Sequence, residues 1–170
     1  MSNQKNLVKF MISIIVILIV AISIFGYLNS KGERLEEGKI RLKAGNDTIS
    51  EISLDEVKKL PAVDKKLVIN STSGLTQHNF TGTPLMEVFN SIDPQITKEY
   101  KKVITRGTDN YVSGINMEEV LQKNNVFLVY ADNGEPLKSK TGTENTMRII
   151  ILNDVFGQRF TNFLVELQLE

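Results

Sequence analysis

The sequence predicts an α+β domain, richer in strand than in helix, carried behind one N-terminal transmembrane helix. Three observations lead there. An uncharged apolar run lies near the N-terminus. Short apolar runs follow that are either alternating or nearly continuous. Between them stand Gly, Pro and Asn punctuation and helix-start signals.

Phe10 to Leu28 supplies 19 residues without a charged side chain. As a helix this run reaches roughly 28 Å, close to the hydrocarbon thickness of a bilayer. Lys5 and Lys9 precede it, and no acidic residue occurs before Glu33. The positive-inside rule then leaves residues 1–9 in the cytoplasm and places the C-terminal part outside the cell membrane. A cleaved signal peptide would have a shorter apolar core and a small-x-small site. Ala21-Ile22-Ser23 lies inside the apolar run, so an uncleaved single-pass anchor over 10–28 is the expectation. The polar residues 29–39 read as a stalk, and 40–170 as the domain.

Ile40, Leu42 and Ala44 alternate with Arg41 and Lys43 as a strand. Gly45-Asn46-Asp47 is a turn, and Thr48 to Ile52 returns as a second strand. Ser53-Leu54-Asp55-Glu56 fits a capping box opening a short helix that stops by Pro61. Leu67 to Ser71 is β-prone and leads into an expected polar loop from Thr72 to Asn79. Thr83-Pro84 starts a second helix with Leu85, Val88 and Phe89 on its apolar face. Val103 to Arg106 and Tyr111 to Ser113 read as strands joined through Gly107-Thr108-Asp109-Asn110, with Gly107 and Asn110 able to accept positive φ. Asn116-Met117-Glu118-Glu119 repeats the capping pattern, for a helix ending near Asn124. Val126 to Ala131 and Met147 to Leu152 read as central strands buried on both faces, with a turn at Asn133-Gly134. In the closing strand Phe163, Val165, Leu167 and Leu169 share one face, and Asn162, Glu166 and Gln168 the other.

Composition narrows the chemistry. Without residues 1–30 the chain keeps 18 basic and 20 acidic side chains, a net charge of −2, which gives no electrostatic ground for a nucleic-acid partner. There is no cysteine, so disulfides, thiolate metal sites, iron–sulfur clusters and lipoprotein acylation are excluded. The single histidine, His78, excludes multi-histidine metal sites.

The order of these elements resembles the molybdopterin-binding domain of the sulfite oxidase family. The segments that carry the resemblance are Ser53-Leu54-Asp55-Glu56-Val57 with Leu60-Pro61, Phe80-Thr81-Gly82-Thr83-Pro84-Leu85, Thr108-Asp109-Asn110-Tyr111, Asn133-Gly134-Glu135-Pro136-Leu137, Gly142, Arg148-Ile149-Ile150 and the final strand. The similarity spans about residues 40–170. It implies the family fold and makes molybdopterin the cofactor to test. In the family, the strand before the Phe80 segment ends at a cysteine whose thiolate binds molybdenum. Here the matching stretch is Ile69-Asn70-Ser71-Thr72-Ser73-Gly74. A hydroxyl is a harder donor with a far higher pKa, so it does not replace a soft thiolate.

The resemblance puts Ser71, Thr72 and Ser73 at the metal-facing corner, as ligand-contacting groups or as a solvated loop. His78 lies in the same segment and is the one side chain with an ordinary pKa near neutrality. Arg106 stands before a turn, where it can meet an anion or cap a strand. Asp109 and Tyr111 match a family turn, and Arg148 matches the arginine before the penultimate strand. These eight are the candidate ligand-binding residues, with no catalytic or metal-ligating residue assigned. Asp132-Asn133-Gly134-Glu135 lacks calcium-loop spacing. Lys138, Lys140, Thr141 and Gly142 lack a P-loop context. No Ser-His-Asp order is supported by flanking motifs.

The sequence therefore leaves three functions open. One is a membrane-anchored, non-catalytic extracytoplasmic binding module for a small molecule or a membrane protein. The second is a molybdopterin-dependent oxidoreductase without a cysteine ligand. The third is an assembly partner of a membrane complex.

Overall fold

The computed structural model describes the backbone of residues 2–30, 36–71, 74–142, 145–154 and 156–170. The chain divides into two compact units, Met1–Arg34 and Leu35–Glu170. The first holds α1 (Ser2–Ser30), in which Asn6–Tyr27 has a mean hydropathy of 2.9, long and apolar enough to cross a membrane. Inside it, the Ser23 hydroxyl donates back to the Ile19 carbonyl at 2.8 Å, so a polar group in an apolar run is satisfied within the helix.

The second unit is a mixed, strand-rich α+β domain built on two five-stranded sheets. In the first sheet, β1 (Lys39–Ala44) pairs antiparallel with β2 (Asp47–Ser53) and parallel with β10 (Leu164–Leu169). Beyond β10 come β5 (Lys102–Gly107) and β6 (Val112–Asn116), both antiparallel to their neighbours. In the second sheet, β3 (Val63–Ser71) pairs with β4 (Gly74–Pro84), and β4 with β7 (Val126–Asp132). The far side of β7 is shared by β8 (Glu135–Pro136) and β9 (Arg148–Ile151).

Local chemistry explains the short helices. In α2 (Leu54–Val57) the Ser53 Oγ accepts from the Glu56 amide at 3.3 Å, while the Glu56 carboxylate accepts from the Ser53 amide at 2.7 Å. α3 (Leu85–Ile92) buries Leu85, Val88 and Phe89, as the apolar face predicts. Pro84 serves as its N-cap and not as its first residue, so the helix opens one residue later than expected. α4 (Ile96–Glu99) follows, and α5 (Met117–Leu121) carries the second capping box but ends before Asn124.

The core gathers residues from both sheets, among them Leu42, Val103, Ile115 and Leu167 from the first and Phe80, Leu128 and Ile150 from the second. A seam joins the two. Thr161 exchanges backbone bonds with Ile149 at 3.0 and 3.2 Å, and its buried hydroxyl lies 2.5 Å from that of Thr105.

Several expectations need correction. The segment from Gly74 to Asn79 is strand, paired residue by residue with β3, where a loop was expected. Its polar residues hid the strand because this end of the hairpin is largely exposed and needs no apolar alternation. Of the two strands expected to be central, β7 is, whereas β9 pairs with β7 and meets Thr161 only through an isolated bridge. In β10 a bulge between Leu164 and Glu166 resets the alternation, so Leu164, Leu167 and Leu169 enter the core cluster and Val165 does not. Phe163, with φ of 50°, stands before the strand. Asn110 takes positive φ as expected, but Gly107 is required for a different reason. A Cβ there would lie 2.3 Å from the Asn162 carbonyl oxygen.

Candidate functional site

Strand register assembles the site. Phe80 pairs with Asp132, and Gly82 pairs with Val129, which on its other side pairs with Arg148. Cross-strand partners share a face and alternate residues along a strand share it too, so Thr76, His78, Phe80, Asp132 and Arg148 fall on one face of the second sheet. Gly82 lets β4 and β7 close up. A Cβ there would sit 2.3 Å from the Leu128 carbonyl oxygen and 2.5 Å from the Val129 Cα.

His78 is fixed from three directions. Its Nδ1 lies 2.6 Å from Asp132 Oδ2, its Nε2 lies 3.0 Å from Thr76 Oγ1, and its ring stacks on Phe80 at 5.0 Å with planes 4° apart. An ionised carboxylate only accepts, so Nδ1 carries a proton toward Asp132, and Nε2 and the Thr76 hydroxyl share the second hydrogen bond. The other Asp132 oxygen accepts from the Asn79 amide at 3.3 Å. His78 and Asp132 side chains are each 22% exposed, which keeps the pair half in contact with water.

Arg148 is the second focus. Its guanidinium carbon lies 5.6 Å from the centre of the Phe80 ring. Burial lowers its pKa from the ordinary value, and the nearby negative charge of Asp132 opposes that shift. Among the described residues its buried Nε meets no acceptor and the buried Asn79 Oδ1 meets no donor. His78 and Asn79 also line a cleft of about 400 Å³, with Lys66, Leu67, Val68, Gln77 and Asn133. It offers donors, one cation and two aliphatic side chains, so its chemistry suits a polar or anionic ligand with an apolar part.

The other candidates lie apart from this cluster. Arg106 Nε donates to Glu166 Oε1 at 3.2 Å, and Glu166 also meets Lys43 at 3.8 Å. Asp109 accepts from the Tyr111 amide at 3.1 Å, and the Tyr111 hydroxyl donates to the Gln158 carbonyl. Those three residues thus bond within the β5–β6 hairpin and its immediate surroundings. Thr72 and Ser73 lie outside the described residues, and of Ser71 only the backbone is described, at the far end of β3. The structure therefore brings His78 and Arg148 together and leaves Arg106, Asp109 and Tyr111 elsewhere. Thr76, Phe80 and Asp132 were missed as site residues. Asp132 stands 54 positions from His78, and its turn chemistry gave a sufficient local reason for it.

Residues 36–169 match the family described as the oxidoreductase molybdopterin binding domain. Among solved structures, the sulfane dehydrogenase SoxCD from Paracoccus pantotrophus matches with a TM-score of 0.62 and 13% identity, over 80% of this chain and 39% of that one. That likeness is one of fold, and the chain spans well under half the length of the matched protein. No curated protein matches the sequence. Fold, order of elements and family match agree: the chain belongs to the family of oxidoreductase molybdopterin binding domains.

Proposed function

We propose that this chain is a membrane-anchored, extracytoplasmic binding module that has kept the molybdopterin-domain fold without molybdenum redox chemistry. One observation carries the reading: a member of this family has no cysteine anywhere in its sequence. The residues at the corner do not fit a molybdenum centre. β3 ends in Ile69-Asn70-Ser71, with no sulfur donor, and among the described residues no three His, Asp or Glu side chains gather as a metal site. A soft thiolate has no substitute in that set. A fold inherited without its metal leaves binding as the function to look for.

The cleft beside His78 is where we place the ligand. Its mixture of amide, lysine and aliphatic side chains supports small-molecule recognition, with a membrane protein as the other partner class. The anchor is α1, and Lys5 and Lys9 ahead of it support an external position for the domain.

The test is chemical analysis of the full chain, purified from a molybdate-replete host that makes the cofactor. The expected result is neither stoichiometric molybdenum nor the fluorescence of oxidised pterin. Stoichiometric molybdenum with a pterin signal would overturn the reading in favour of an oxidoreductase. Protease accessibility in intact cells tests the side of the membrane, and digestion confined to inverted vesicles would reverse the topology.

A further inference from the structure

Beyond ligand binding, we propose that the arm formed by β3 and β4 pairs with the same arm of a second copy of this chain, β4 to β4, about a two-fold axis at Thr76. The pairing stands whether or not the cleft takes a ligand.

The arm has an unused side. β4 pairs with β3 from Gly74 onward but with β7 only from Phe80 to Pro84. Backbone groups of successive residues in a strand point to opposite edges. Asn79 shows which edge is which, because its N–H donates to the Asp132 carboxylate and its carbonyl accepts from the Asn133 amide, both on the β7 side. The N–H and C=O groups of Leu75 and Gln77 therefore face that side too, past the end of β7, with no backbone partner among the described residues. Two residues apart on a strand, they are spaced roughly 7 Å, which matches alternate residues of another strand.

Edge chemistry points to the occupant. β3 carries Asp64, Lys65 and Lys66, and charged side chains on an edge strand keep other strands away. Gly74 to Asn79 holds no Lys, Arg, Asp or Glu, while Leu75 is 72% exposed and Val68, diagonal to it on the same face, is 51% exposed. The stretch is also its own complement. With Thr76 opposite Thr76 of the second copy, Leu75 stands opposite Gln77 in both directions, and each such pair exchanges two backbone bonds through the groups left free.

His78 then meets Gly74, around which the space is open. The ladder stops at that point, since Asn79 is already engaged with Asp132 and Asn133. On the face that carries Val68, Leu75 and its counterpart become diagonal neighbours, each beside the stem of a Gln77. Two copies anchored in one bilayer by α1 meet at a raised local concentration, which suits a contact of a few residues.

The chain has no cysteine, so an introduced one reports alone. Directly opposite residues of a non-hydrogen-bonded antiparallel pair stand about 4.5 Å apart at Cα, within disulfide range. The full chain with Thr76→Cys, reconstituted pure into vesicles and mildly oxidised, is expected to form a linked dimer about tenfold faster than Asn70→Cys, an exposed site on β3 away from the axis. Equal rates, as random collision gives, overturn the proposal, and so does the absence of a dimer from Thr76→Cys. Differently tagged chains with Thr76→Lys and Thr76→Glu should each stay monomeric alone and co-purify when mixed, because like charges face each other at the axis in the first case and opposite charges in the second. A dimer that persists in Thr76→Lys alone is held elsewhere and overturns the pairing. Wild-type chain that single-molecule bleaching counts as monomers at the same density overturns it whether or not the variants fold.

Discussion

In the β5–β6 hairpin every candidate side chain is bonded to its own neighbourhood, Arg106 to Glu166, Asp109 to the Tyr111 amide and Tyr111 to Gln158. The β3–β4 hairpin is different. There His78 is held by Asp132 and Thr76 and lines a cleft, Arg148 keeps a buried Nε without an acceptor among the described residues, and β7 pairs with only part of β4. Both hairpins carry the polar residue types that mark sites in a sequence. Only the one whose groups have capacity left over can do chemistry with something else. Two arginines make the point: Arg106 pairs with a buried carboxylate, whereas Arg148 is desolvated over an aromatic ring and feels the charge of Asp132.

That contrast can be broken in several places. The largest effects should come from the glycines that let strands close up in each hairpin. Gly82→Ala drives a methyl into the Leu128 carbonyl and the Val129 backbone, and Gly107→Ala into the Asn162 carbonyl. Neither obstacle is a side chain that can swing aside, so each is expected to cost about 3 kcal/mol in urea unfolding with an unchanged m-value. A loss below about 1 kcal/mol would mean that the strands can part without cost.

The arginines should then separate. Arg106→Met leaves Glu166 buried with only Lys43 beside it, and because Arg106 is 42% exposed the expected loss is a screened one of about 1–2 kcal/mol. Arg148→Met removes a desolvated cation with no ion pair among the described residues and is expected to leave stability within about 1 kcal/mol of wild type, or to raise it. Similar large losses for both would show that Arg148 is held by interactions as strong as those of Arg106.

A smaller change is expected from Tyr111→Phe, which deletes the hydroxyl that bonds the Gln158 carbonyl and should cost about 1 kcal/mol by thermal unfolding. It should leave ligand-induced thermal shifts at the His78 cleft untouched. The smallest effect concerns Glu56. The Ser53 hydroxyl and then the Ser53 amide hold its pKa below the ordinary 4.5. A carboxylate whose pKa is depressed by folding adds stability above its unfolded value and loses it as the pH falls through the lower folded one. The Tm gap between wild type and Ser53→Ala should therefore narrow below about pH 4.5. A gap independent of pH would mean that the capping box contributes without the charge.

The elements legible from residues alone were those whose cause is local. The capping boxes at Ser53 and Asn116, the Asn133-Gly134 turn with φ of 52° and 83°, and the apolar run of α1 each follow from a few neighbouring residues. The strand from Gly74 to Asn79 was not legible, because its partner is β3 and its own pattern is polar. The shift of Val165 out of the core cluster was hidden for a similar reason, since a bulge depends on register with β5.

The same division holds for the site. From residues alone came the absence of a thiolate, the apolar span and the singling out of His78 and Arg148, because donor type and charge belong to each side chain wherever it sits. Tertiary structure alone decided that Asp132 lies against His78, that Thr76 sits on its other nitrogen, and that Arg106 pairs with Glu166 while Arg148 stacks on Phe80 with its Nε unpaired among the described residues. Hydrogen bonds and desolvation act over a few ångströms of space, and residues 54 positions apart meet there only because β4 and β7 pair in one register.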